Sequence, residues 1–122
     1  MKKTLWICLA VILAVAATGA VWRLRASDKV VFKTAYQAVL LTNGSVYYGK
    51  LEGLGGPYPV LRDVFYVQAA TDANTKQTAN ILVRRGKEWH GPDYMLLNAN
   101  QILLVETVNP GSRVATLIAE AQ

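Results

Sequence analysis

Cysteine is nearly absent. Cys8 is the only one in 122 residues, and it lies inside an apolar stretch. An intramolecular disulfide is thereby excluded, and so is a cysteine-based zinc site. Histidine is also single, so metal or general-base chemistry at His90 would rest on Glu88 and Asp93, the only acidic residues nearby. There is no phosphate loop: Gly53-Leu-Gly-Gly-Pro57 lacks the Lys-Ser/Thr pair and the following helix that cradle a phosphate. No serine has a triad context. These absences predict no catalytic residue, no metal set and no cofactor, and the chain reads as non-enzymatic.

Charge is missing from Leu5 to Trp22, LWICLAVILAVAATGAVW, eighteen residues bracketed by Lys2-Lys3 and by Arg23 and Arg25. A helix of that length rises about 27 Å, close to the ~30 Å thickness of a bilayer's hydrocarbon core. It has no polar stripe, which a helix packed on a globular core would have. Trp6 and Trp22 stand near its ends, where indole favours the membrane interface. The residues predict a transmembrane anchor over 5–22, after a short tail at 1–4. A cleaved signal peptide is the alternative; the length of the apolar run and Trp22-Arg-Leu-Arg25 directly behind it favour an uncleaved anchor. The flanking positive charges nearly balance. A tail this short usually stays in the cytoplasm, which places the following domain on the periplasmic or extracytoplasmic side.

The whole chain carries a net charge of +5, from 13 Lys and Arg against 8 Asp and Glu. Four of those positives flank the anchor, so the remainder is close to neutral and argues against nucleic acid as a partner. About a hundred residues are enough for one small domain. Residues 23–34 form a short connection without Gly or Pro, able to continue the anchor helix. The segment 35–108 alternates strand signals with turn signals. Tyr36 to Thr42 is a β-leaning run, Asn43-Gly44 is a strong hairpin signal, and Val46 to Glu52 returns with strand character. Gly49 inside that strand predicts a bend or a close backbone approach. Gly53 to Pro59 interrupts the chain. Val60 to Gln68 predicts a third strand, with Leu61, Phe65 and Val67 on one face and Asp63 among them as a rim carboxylate. Ala69 to Asn80 is small, polar and aperiodic, and reads as an exposed loop. Ile81 to Arg85 is a fourth strand, Met95-Leu96-Leu97 a brief extended run, Asn98 to Asn100 a turn, and Gln101 to Val108 the last strand. Residues 109–122 change period: Ser112 is a good N-cap, and Val114, Leu117, Ile118 and Ala121 make one apolar face of a short helix. That face predicts packing on the chain's own sheet or on a neighbouring copy.

Val39-Leu-Leu-Thr-Asn-Gly44, Tyr48-Gly-Lys-Leu51 and Leu61-Arg-Asp-Val64 resemble the first half of an Sm-like small β-barrel. Met95 to Val105 resembles its second half. The chain is also similar to membrane-anchored bacterial proteins in which Gly-Lys-Leu, His-Gly-Pro and Asn-x-x-Gln-Ile-Leu phrases recur. The resemblance implies a mainly β fold, a small five-stranded Sm/SH3-like antiparallel barrel between the anchor and the terminal helix, in a bacterial inner membrane. RNA-binding relatives carry an Asp-x-Phe/Met-Asn loop and an Arg-Gly turn. Here those places hold Gly55-Gly-Pro-Tyr-Pro59 and Asn98-Ala-Asn100, so the RNA function does not carry over.

One cluster stands out. Arg84, Arg85, Lys87, Trp89 and His90 gather cations around an aromatic, a set that suits lipid phosphates, an acidic partner or a single strand. The plainer reading, a solvated hairpin end with Trp89 tucked against the sheet, takes precedence. Tyr47, Tyr48, Phe65, Tyr66 and Tyr94 read as core and cross-strand pairs. Two function classes follow. The first is an anchored assembly module that self-associates or docks on a membrane complex, covering its sheet edges as rings do. The second is a binding module using the Arg84 to His90 hairpin for nucleic acid or anionic lipid.

Overall fold

The computed structural model describes the fold of residues 1–26 and 30–122, and the side chains of residues 1–21 and 30–122. The side chain of Trp22, expected at an interface, and residues 27–29 of the connection fall outside that description. Helix α1, Lys2–Ala26, is longer than the uncharged run at both ends. Lys2, Lys3 and Thr4 are helical, so the expected separate tail at 1–4 is the first turn of α1; nothing there breaks a helix. Over Lys2–Val21 it is long and apolar enough to cross a membrane, and none of that span is buried against the rest of the chain. Trp6 and Cys8 are exposed on it.

The domain is an antiparallel sheet of six strands, one more than expected. They are β1 Gln37–Leu41, β2 Val46–Glu52, β3 Val60–Thr71, β4 Thr78–Arg84, β5 Tyr94–Leu96 and β6 Ile102–Thr107. The order is β4-β3-β2-β1-β6, with β5 on the second edge of β3, so the sheet is open. The Asn43-Gly44 turn joins β1 and β2 as its sequence predicts. Gly44 takes φ +86°, and the Asn43 side chain accepts from the Ser45 amide at 2.9 Å.

Gly49 and Asp63 bend the sheet. Tyr48 pairs with Phe65 and Lys50 with Arg62, so Gly49 alone faces both Asp63 and Val64, a β-bulge. Asp63 takes φ +48°, a left-handed conformation that Asp tolerates better than most residues. A Cβ on Gly49 would stand 2.7 Å from the Arg62 carbonyl oxygen, so glycine is required by close backbone approach. The bulge also shifts the parity of β3. Leu61 and Val64 enter the core, while Val67, expected with them, is 46% exposed.

The predicted loop at Ala69 to Asn80 is half strand. Ala69 pairs with Asn80, Ala70 with Ala79 and Thr71 with Thr78, which leaves residues 72–77 as the turn. This ribbon is largely exposed on both faces, and with no buried side to mark, its sequence carries no apolar period.

The main core cluster lies on one face of the sheet, and Phe65, Val108 and Ile118 are buried outside it. Val39, Leu51, Leu61, Val64 and Leu97 make up the cluster, with Tyr47, Ile102 and Val105 packed against them. Gln37 is the buried polar residue; its Nε2 donates to the Thr34 carbonyl at 2.7 Å and its Oε1 accepts from the Leu51 amide at 2.9 Å. Register partners Tyr48, Phe65 and Arg84 share the opposite face. Helix α2, Arg113–Glu120, begins on its predicted cap, with Ser112 Oγ accepting from the Ala115 amide, and lies against β4. Ile118 is buried and Val114 and Leu117 are half-buried, so the chain's own sheet takes up much of the helix's apolar face; Ala121 is exposed.

Candidate functional site

The chain from Arg84 to Tyr94 leaves the end of β4 and returns as β5, walling a cleft of about 590 Å³. Arg84, Arg85 and Lys87 line it, opposed by Asp63 and Asp93 and floored in part by Val64 and Met95. Three of the five residues singled out in the sequence therefore come together. Trp89 and His90 do not line the cleft; both are exposed.

The cations are also less available than their sequence suggests. Arg84 lies 3.5 Å from an Asp63 oxygen and stacks over Phe65, 5.8 Å from the ring centroid. Asp63 binds Lys50 as well, at 3.0 Å, so one carboxylate ties β2, β3 and β4 together. That bond to Asp63, helped by the Tyr36 ring hydroxyl's field, holds the Lys50 ammonium above its ordinary pKa. Asp63 is thus more than the expected rim carboxylate with backbone donors: its partners are two side-chain cations. Its role was hidden in the sequence because Lys50 and Arg84 are brought to it only by the pairing of three strands.

Arg85 turns inward. Its guanidinium lies 5.8 Å from the Tyr47 ring centroid, and its Nε is 3.4 Å from a Glu88 oxygen. The Nε is buried and that approach lacks hydrogen-bond geometry, so the contact is an ion pair only. Glu88 is the organiser of the turn. Its Oε2 accepts from the Gly86 amide at 2.8 Å and its carbonyl accepts from the Gly91 amide at 2.8 Å. The Gly86 bond above all, then its own amide and Arg85, hold the Glu88 carboxyl below its ordinary range. Gly86 and Gly91 supply φ of +126° and +54°, which closes the turn on both sides.

Trp89 sits at the tip of this pinned turn with a relative exposure of 108%. The expectation that it tucks against the sheet is overturned. Arg85 occupies the Tyr47 ring face, and the Glu88 bonds direct the next residue out to solvent. Lys87, beside it, has no acidic group within ion-pair distance among the described residues. Of the aromatics expected to pair, Tyr47 and Tyr66 meet edge-to-face with centroids 6.4 Å apart, Phe65 meets Tyr36 in the same way at 6.3 Å, and Tyr94 instead stacks with Arg62. Among the described residues, no three His, Cys, Asp or Glu side chains are grouped to hold a metal ion.

A second surface was not singled out in the sequence. On the face opposite the core, Ala38, Leu40, Val46, Tyr48 and Leu104 line a groove of about 460 Å³ that runs to Val114 at the start of α2. It borders β6, whose outer edge pairs with no strand among the described residues. Leu40 pairs with Leu104 and Leu41 with Ile102, so Leu103 is a bulge residue, 64% exposed. Alternation along β1, β2 and β6 was the available signal, but it shows apolar residues on both faces and does not say which face stays open.

No known protein family's model matches the chain, and no curated protein matches it either.

Proposed function

We propose that this chain is a non-enzymatic, membrane-anchored assembly module that self-associates through β6 and the groove beside it. In this reading α1 is a single-pass anchor in a bacterial inner membrane, and the domain lies on the extracytoplasmic side. The sheet is an open relative of the Sm/SH3-like small barrel. Its antiparallel run from β1 to β4, its bulged third strand and the return of β6 to β1 support that likeness.

The observation that carries the assembly reading is the apolar character of the β6 edge. Leu103 is 64% and Leu104 41% exposed on a strand whose outer N–H and C=O groups have no strand partner among the described residues. An edge of that kind is a template for another chain. The occupant proposed is a second copy, because one surface holds both complementary parts. Leu103 is an apolar knob, and the groove lined by Leu40, Val46 and Leu104 is an apolar hole. A two-fold arrangement of β6 edges satisfies both at once and closes the assembly.

The test is the mass of the full chain in nanodiscs and mild detergent, with and without Leu104→Lys. The expected result is an oligomer that is insensitive to salt and becomes monomeric in the variant, with its β circular dichroism retained. A wild-type chain that is monomeric at every concentration sinks the proposal. Leu104 is a better probe than Ile118, which is 3% exposed inside its own chain, so that Ile118→Asp would report on folding.

A further inference from the structure

We infer that the turn over residues 86–91 is a bilayer-contacting tip: Trp89 enters the interfacial layer of the membrane that holds α1, with Lys87 facing lipid phosphates. The inference rests on the anchoring part of the reading above and is independent of self-association. The groove beside β6 and this turn have no residue in common.

Three observations lead to it. First, Trp89 is fully exposed on a turn whose shape is already fixed, by the Glu88 carboxylate on the Gly86 amide and the Glu88 carbonyl on the Gly91 amide. A side chain of this size usually buries most of its surface. Here the fold uses two glycines and a carboxylate to keep it outward, so its ordering cost is met before any partner arrives. Second, the charges are sorted. Arg84 and Arg85 are held by Asp63 and Glu88, while Lys87 beside the indole carries no acidic partner among the described residues. An indole with a free ammonium next to it is the pairing that suits the headgroup layer, where the ring lies among glycerol groups and the cation meets phosphate.

Third, the tether fits. Residues 27–36 separate α1 from β1, and the last of them belong to the domain, with Phe32 against the core and the Thr34 carbonyl accepting from Gln37, so only a few residues lie between the anchor and the fold. So short a connection keeps the domain at the bilayer, and the high local concentration of surface makes one aromatic tip with one free cation sufficient. A protein pocket for Trp89 would be expected to meet an apolar surround on this side. The chain on either side of the tip instead lines the cleft that holds Arg84, Lys87, Asp63 and Asp93. Headgroups match that surround.

The experiment is fluorescence of the full chain reconstituted in phosphatidylcholine vesicles containing phosphatidylglycerol. One variant, Trp6→Phe/Trp22→Phe, leaves Trp89 as the sole indole. A second, Trp22→Phe/Trp89→Phe, leaves Trp6. Lipids brominated high or low on the acyl chain report depth. The expected result is a blue-shifted Trp89 quenched more by the shallow bromines, with quenching lost on adding Lys87→Glu. Unquenched Trp89 with the emission of a water-exposed indole overturns the inference, and so does a blue shift without quenching, which would mean a protein contact. Trp6 separates the two failures. Trp6 quenched and Trp89 not leaves the anchor standing and removes the tip; neither quenched removes both.

Discussion

From Val60 to Arg62, β3 has β2 on one side and β5 on the other, and Leu61 there and Val64 just beyond are buried. From Val67 to Thr71 the same strand has β4 alone, and Val67 is 46% exposed. The switch between the two is the bulge at Asp63 opposite Gly49. One strand thus serves first as a wall of the core and then as an arm of a solvated ribbon. The difference teaches where stability resides. Hydrophobic burial concentrates in the first half, while the second is held by ladder hydrogen bonds and by a turn built on Asp72.

The sharpest way to break the comparison is truncation on either side of the bulge. Leu61→Ala is expected to cost about 2–5 kcal/mol, as for other fully buried leucines. Val67→Ala, six residues along the same strand, is expected to cost less than about 1 kcal/mol. Urea titrations of the two variants measure both, and equal costs would show that the halves share one core. Next in size is Gly49→Ala. Its new Cβ meets backbone at the Arg62 carbonyl, which cannot rotate away. A loss of about 1–3 kcal/mol follows from overpacking, read from the same titration.

Asp63 sharpens the boundary itself. Asp63→Gly removes ion pairs to Lys50 and Arg84 whose side chains are nearly half exposed, each worth about 0–1 kcal/mol at such sites. It also frees a left-handed residue of its Cβ. The net change should stay within about 1 kcal/mol, and Asp63→Ala, which keeps a Cβ at that φ, should be worse by a similar amount. Thermal melts of the pair give the difference.

The smallest effect belongs to the ribbon's turn. The Asp72 carboxylate accepts from the Thr75 and Asn74 amides, which lower its pKa. A depressed carboxyl pKa contributes stability in full above its unfolded value, about 4, and loses it as pH falls through the lower folded value. The protection of the Asn74 and Thr75 amides, measured by NMR as exchange relative to the intrinsic rate at each pH, should fall only below about pH 4. Asp72→Asn should abolish that step and leave the core amides unchanged.

The same two halves mark what the sequence could say. Where one face is buried, residue type reports it: the Asn43-Gly44 turn, the strands on either side of it, the close approach at Gly49 and the Ser112 cap are all present where their residues suggest. Where neither face is buried, as in Ala69–Thr71 and Thr78–Asn80, strand and loop have the same composition, and the ribbon reads as loop. The bulge is the other hidden feature. A single positive φ at Asp63 exchanges the two faces of β3, and no local pattern records it. The site was legible as a cluster but not in its sorting. Arg84 and Arg85 are drawn to Phe65 and Tyr47 by strand pairing, and Trp89 is left outside because Glu88 folds the turn back on itself.

Gln122 donates to the Tyr36 hydroxyl at 2.9 Å, so residue 122 lies beside the lead-in to β1. Under tension this closeness matters. A pull between α1 and residue 122 would enter and leave the domain at neighbouring points, and would load that one bond and the short α2 before anything else. The helix would peel from β4 first, and only then would the ladder between β1 and β6 open, pair by pair, from Gln37 and Thr107. Because Gln37 and Thr107 pair at the end of the ladder where both tensions would arrive, such a pull would unzip the two strands rather than shear them.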